Sequence, residues 1–242
     1  MGVKTATNNL LVYSELGRFP LYIKRYIRII KYWLNLYDKK TNNCILQTVL
    51  SNQRQHANAY IKNWSLNVKH LLETSGFAHV WIYPESVNSD LFLPIFLLRL
   101  KDMYISNWRS DLEASTSLLL FKELKINFEI SDYLLCLRNV KNRIVLSRLR
   151  LSSHKLAIEK GRHLNVERNQ RKCIYCDLNE IEDEFHFILM CPKYVDLRNK
   201  YINKYYTNRP NMFKFINLLN SVNIKTLNNL ANFCIKAFKR RE

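Results

Sequence analysis

The chain has 242 residues, enough for one large domain or two small ones with a real core. Its 38 basic residues outnumber 20 acidic ones, a net charge of +18 that points to polyanionic partners, nucleic acid ahead of an anionic membrane. No run approaches the ~18 apolar residues that span a bilayer, and the opening MGVKTATNN lacks an apolar signal core; the expectation is an intracellular, reducing setting, nucleus or cytoplasm, with no membrane partner.

Only four glycines and five prolines occur, well under the usual share of roughly 7% and 5%, so long uninterrupted helices are expected. A lead-in segment carries a short helix around Asn9–Leu16, ended by Gly17, and Pro20 suits the first position of the next helix. Over Pro20–Tyr37 the residues Ile23, Ile27, Ile30, Trp33, Leu34 and Tyr37 form one apolar stripe, while Lys24, Arg28 and Lys31 form a basic face. That face is either solvated or laid along a phosphate backbone. Helices are predicted over Asn42–Gln55 and Ala59–Thr74, followed by a break from His79 to Asn88 in which WIYPES has a short β-like alternation. Ser89 or Asp90 caps a helix from Leu91 to about Glu113, kinked at Pro94, whose Phe92, Phe96, Leu100, Tyr104 and Trp108 read as core. Shorter helices follow over Leu118–Asn127 and Asp132–Leu137.

From Arg138 the character changes. The segment Arg138–Lys172 holds eleven Lys/Arg and two acids, half of the chain's excess charge. Val140–Leu151 reads as a basic helix with Ile144, Val145, Leu149 and Leu151 facing in; Ser152 or Ser153 caps Lys155–Lys160, which Gly161 stops. Arg143, Arg148, Arg150, Lys155, Lys160, Arg162, Arg168, Arg171 and Lys172 are the candidate phosphate contacts. Val195–Tyr206, Met212–Leu219 and Thr226–Phe238 complete the helices, with Tyr201, Tyr205 and Tyr206 as core or base-stacking residues and Lys239–Arg241 as a solvated basic tail.

The most specific signal is KCIYCDLNEIEDEFHFILMCP, with Cys173, Cys176, His186 and Cys191 spaced C-x2-C-x9-H-x4-C. Two cysteines across a tight turn converge on one metal, and three thiolates with one imidazole form a closed, structural zinc set. Five residues along an α-helix turn through about 140° and climb about 7.5 Å, too far for His186 and Cys191 to share an ion. The helix bearing His186 must therefore end or curl before Cys191, and Pro192 enforces this. The acids Glu180, Glu182, Asp183 and Glu184 suit the start of that helix. Cys44, Cys136 and Cys234 fall at apolar positions and read as core; His154 and His163 have no obvious acid partner.

LRLSSHKLAIEKGRH (149–163) and NQRKCIYCDLNEIEDEFHFILMCPKY (169–194) resemble the zinc-binding segment of non-LTR, LINE-type reverse transcriptases, and VYSELGRFPLYI (12–23) resembles the stretch that follows their polymerase domain. The resemblance implies that Cys173, Cys176, His186 and Cys191 are zinc ligands and that the parent protein is an RNA-directed DNA polymerase. No Asp-Asp pair, which the palm of such a polymerase needs, occurs in this chain, so no activity of its own is expected.

The resulting expectation is a mostly α protein: a helical region 1–137 downstream of an absent polymerase core, a basic segment with a CCHC zinc module over 138–206, and C-terminal helices over 207–242. Its function would be that of a nucleic-acid-binding accessory region, with one structural Zn²⁺ holding a basic surface against RNA or DNA and the polymerase core as a protein partner. The alternative is a domesticated, non-enzymatic interaction module in which zinc only stabilises the fold.

Overall fold

The structure, a computed structural model, describes residues 1–5, 7–37, 44–116 and 118–241. It is helical almost throughout, and the only β pairing among the described residues is two isolated bridges. No helix of the described residues is long and apolar enough to cross a membrane. The chain forms two compact units, one of residues 19–111 and one of residues 1–18 with 112–242. These cuts do not coincide with the boundaries at 137 and 206 expected above.

Helix α1, Asn9–Glu15, belongs to the second of these units; the Asn8 side chain accepts the Leu10 N–H to start it. The 19–111 unit contains α2, Leu21–Asn35; α3, Cys44–Asn58; α4, Trp64–Thr74; α5, Ala78–Ile82; and α6, Ser89–Ala114, which runs on beyond the unit. The α2 stripe is as expected: Ile23, Ile30, Trp33 and Leu34 are buried, and Lys24, Arg28 and Lys31 are exposed. Pro20 precedes α2 in extended conformation. The start of α3 expected at Asn42 and Asn43, and the side chain of Cys44, lie outside the described residues. α4 begins later than Ala59, because Tyr60 adopts positive φ and Asn63 caps the Leu66 N–H.

The stretch expected to be β-like is helical instead. Trp81 is buried and stacked on Trp33 at 5.5 Å, and Arg54 donates to the Trp81 and Ile82 carbonyls at the end of α5. Tertiary contacts of one ring and one guanidinium thus outweigh a short alternation. α6 continues through Pro94, capped by Asn88 rather than by Ser89 or Asp90.

The other unit adds α7, Leu119–Leu124; α8, Asp132–Cys136; α9, Val140–Arg150; α10, Ala157–His163; α11, Val195–Tyr201; α12, Lys204–Thr207; α13, Met212–Leu219; and α14, Ile224–Lys239. α14 lies against α9 and α11. The span expected to be one helix to Tyr206 breaks at Ile202 and Asn203, where Asn203 caps α12. Tyr201 and Tyr206 pack against the core, and Tyr205 is exposed.

This unit is tied together by Glu15, which is fully buried. Its carboxylate accepts from Arg150 Nε at 2.5 Å and from the Ser131 hydroxyl, and Lys125 Nζ lies 3.9 Å away. Arg150 also donates to the Leu219 carbonyl and to Asn220 Oδ1, with its guanidinium over the Tyr133 ring. Burial pulls the Lys125 ammonium pKa down, and Glu15 opposes that pull. The expectation that Arg150 contacts nucleic acid is therefore corrected: it is 3% exposed and serves as the counter-charge of a buried carboxylate. Gly17 permits this docking, since at φ +58° a Cβ there would sit 2.4 Å from the Ile130 amide nitrogen.

Glu15→Ala would leave two cations buried without their partner, and we expect a loss of about 3–5 kcal/mol in urea unfolding. Combining it with Arg150→Met should recover part of that loss; a double variant no more stable than the single one would show that the ion pair is not the cause.

Candidate metal centre

The site is assembled from two short segments. Lys172 and Ile181 form an antiparallel bridge, with Cys173 N–H donating to the Glu180 carbonyl and Glu182 N–H to that of Arg171. The intervening loop is closed by Asn179 in left-handed conformation, whose side chain accepts from Lys172 Nζ. Cys173 and Cys176 lie on this loop, and the Tyr175 N–H points at the Cys173 sulfur. The second segment is a π-helical turn, His186–Met190, entered from Asp183, whose carboxylate accepts the His186 N–H at 2.8 Å.

That turn decides the geometry. Cys191 N–H donates to the His186 carbonyl at 2.7 Å, an i→i−5 bond that brings residues five apart onto one face. Cys191 itself has left helical geometry, with ψ 120°, ahead of Pro192. The helix thus curls and then stops, and His186 and Cys191 meet. Arg198 on α11, almost fully buried, donates to the carbonyls of Ile188 and Cys191 at 2.8 and 2.7 Å, which satisfies acceptors exposed where the ladder ends.

The donor atoms of Cys173, Cys176, His186 and Cys191 all lie within 4.8 Å of one another and could hold a metal ion. Cys173 and Cys191 sulfurs are 3.9 Å apart, far beyond a disulfide bond, and Cys176 Sγ is 3.4 Å from His186 Nε2. Burial pushes the Cys173 and Cys191 thiols well up from their ordinary range, while the Tyr175 and Lys193 N–H groups act in the opposite sense. A metal ion would have to displace protons from these thiols, as thiolate ligation requires.

No family model, curated protein or solved structure matches the chain. The centre therefore stands on its own chemistry.

The four acids read from the sequence as helix-start residues have four separate tasks. Glu180 accepts from His186 Nδ1 at 3.1 Å, which leaves Nε2 turned toward the thiols. Asp183 alone caps the turn that carries His186, by accepting its N–H. Glu184 bonds His154 Nε2 at 2.8 Å within the interior, so His154 does have an acid partner. Glu182 carries the most: its Oε2 accepts the first N–H of α10, from Ala157, at 2.7 Å, its Oε1 lies 3.7 Å from Cys173 Sγ, and Arg241 holds both oxygens. The cap of α10 thus comes from a residue 25 positions away, not from Ser152 or Ser153. Gly161 lies inside α10, where a Cβ would collide with the Arg171 side chain; it does not stop the helix at Lys160.

The tail expected to be solvated is bonded. Arg241 sits over the Tyr175 ring at 4.4 Å in addition to pairing with Glu182, and Arg240 makes a two-pronged pair with Asp196 that holds its carboxyl at about 2. Of the other candidate contacts, Arg148, Lys155, Lys160, Arg162, Arg168 and Lys172 are exposed, and Arg143 is half-buried. Arg162 pairs with Glu159, and Arg171 donates to the Val166 and Ile158 carbonyls. Cys234 is buried, as expected, and Cys136 is half-buried.

Arg241→Ala would strand Glu182 in the interior, and we expect about 3 kcal/mol of destabilisation in urea unfolding. Arg240→Ala, which breaks an exposed pair, should cost much less; equal effects would show that the Glu182 contact is not what holds the tail.

Proposed function

We propose that the protein is a nucleic-acid-binding module in which one structural Zn²⁺ holds a basic surface in place. The observation that carries the metal assignment is the size of the donor cluster. Zinc bonds of about 2.3 Å to sulfur and about 2.0 Å to nitrogen give tetrahedral edges of about 3.8 Å between sulfurs and about 3.5 Å between sulfur and nitrogen. Two of the six separations, 3.9 Å and 3.4 Å, fit them, and all six lie within 4.8 Å. Four protein donors leave no open position, which supports a structural rather than a catalytic ion. Three thiolates and a neutral imidazole give the loaded centre a charge of about −1, and Lys172, Lys193 and the Arg241 guanidinium stand near to offset it along with Glu182.

The nucleic-acid reading rests on the exposed cations Arg148, Lys155, Lys160, Arg168 and Lys172, of which the first three line a cleft with Tyr175 of the Cys173–Cys176 loop, and on the half-buried Arg143. Contacts of this kind bind phosphate, so binding is salt-steep and weakly selective for sequence. The likeness of residues 149–163 and 169–194 to the zinc-binding segment of non-LTR reverse transcriptases supports reading the chain as a post-polymerase region of such a protein, or a copy derived from one. In that reading it works beside a polymerase core, inside the cell, and has no activity of its own.

Two measurements test this. Cys191→Ser should reduce zinc content below one ion per chain and expose amides of residues 165–205 to hydrogen exchange, while α2–α6 stay protected. Full zinc content in that variant would remove the ligand assignment. Binding to RNA and DNA across a salt series should show a steep log–log slope. Charge reversal at Lys155, Lys160 and Arg168 should weaken binding and flatten the slope by roughly one for each cation removed from a phosphate. Absence of binding at moderate salt, together with a specific protein partner, would favour the interaction-module alternative.

A further inference from the structure

The exposed cations are not spread evenly. In the unit of residues 1–18 and 112–242, a cleft of about 440 Å³ opens beside the loop of Cys173 and Cys176, between α9, α10 and α14. Lys4, Arg148, Lys155 and Lys160 line it, and no carboxylate does. Elsewhere in this unit the arginines facing carboxylates are engaged: Arg150 with Glu15, Arg162 with Glu159, Arg240 with Asp196. The ammonium groups of Lys4, Lys155 and Lys160 have no acidic partner among the described residues, and Arg148 bonds only the Gly2 carbonyl through Nε. Like charges gathered around a concavity repel one another unless an anion fills it.

The rest of the wall combines the apolar Val145 and Ile235 and two aromatic rings with Ser153, His154 and Arg241, of which His154 is bonded to Glu184 and Arg241 to Glu182. Tyr175 and Phe238 contribute to the lining. Neither ring is loose: the Arg241 guanidinium lies over Tyr175, and Phe238 stacks on the buried Phe187 at 4.7 Å. A cationic rim over a rigid aromatic wall matches a ligand with phosphate at one end and a flat ring at the other. The volume lies within the range of small-ligand sites, about 300–1,000 Å³. A duplex keeps its bases stacked inside and offers such a cleft only its backbone, whereas an unpaired strand can turn a base into it.

We propose that this cleft takes one unpaired nucleotide of a bound strand, with its phosphates on Arg148, Lys155 and Lys160 and its base against Tyr175 and Phe238. This rests on the nucleic-acid reading above and adds the state of the strand to it. The cleft makes the protein a reader of single strands, and the zinc loop contributes a contact residue as well as stability, since Tyr175 lies between two metal ligands.

The test uses the full zinc-loaded chain and fluorescence anisotropy with a labelled single strand of RNA, the same strand of DNA, and the matching duplexes, at one salt concentration. Single strands should bind about tenfold more tightly than duplexes, the effect of about one stacked base. Tyr175→Leu should remove most of that preference, and Tyr175→Phe should keep it. Lys155→Glu with Lys160→Glu, at two exposed positions, should weaken single strands more than duplexes; zinc content checks that each variant is folded. Equal binding of single strands and duplexes, or equal loss for both in the double lysine variant, overturns the cleft and leaves the broader function standing. No binding of any nucleic acid overturns both.

Discussion

Everything around residues 171–198 answers one demand: three thiols and an imidazole must meet within 4.8 Å in the interior. A regular α-helix cannot bring His186 and Cys191 together, because five residues overshoot one turn. The π-turn removes the overshoot, and Pro192 prevents the helix from resuming. Both devices leave backbone acceptors without their usual donors. Arg198 meets them, which is why an arginine is almost wholly buried next to the site although burial lowers its pKa. The remaining neighbours hold donors in orientation: Glu180 on His186 Nδ1, Asp183 on the His186 N–H, and the Tyr175 N–H on Cys173.

Glu182 links that centre to the rest of its unit. One carboxylate caps α10, approaches Cys173 and binds Arg241. α10, the loop of Cys173 and Cys176, and the residues that follow α14 are thereby held through a single group. A change at any of the three is felt at the others, since a buried carboxylate without its partners is costly. Glu15 plays the matching part at Arg150 of α9, where it fixes α1 and the 129–131 segment through Arg150, Lys125 and Ser131.

Glu15 also withdraws one cation of the basic stretch, Arg150, from the surface. The stretch Arg138–Lys172 reads from the sequence as one uniform basic surface. In the folded chain its cations have different surroundings, and Arg162 pairs with Glu159. Arg150 is interior, Arg171 ties down local carbonyls, and Arg148, Lys155 and Lys160 face a cleft without acids. Net charge is a property of the whole chain, whereas the gathering of unpaired cations at one cleft is a property of the fold, and the proposal of a bound single strand rests on the second.

Much of this was legible in advance. Apolar periodicity located most of the helices, because a helix face must be buried wherever it ends up; the stripe of Ile23, Ile30, Trp33 and Leu34 is an example. The four donors and the need for a stop before Cys191 followed from spacing and from proline stereochemistry, both local properties of the chain. What only the tertiary structure decided involves partners far apart in sequence. Trp81 lies helical against Trp33, Arg150 meets Glu15 across 135 positions, α10 is capped by Glu182, and Arg241 returns to Glu182 and to Tyr175 of the Cys173–Cys176 loop. A charged residue looks the same in the sequence whether it faces water or an opposite charge, and only the packing of distant segments determines which of the two it meets.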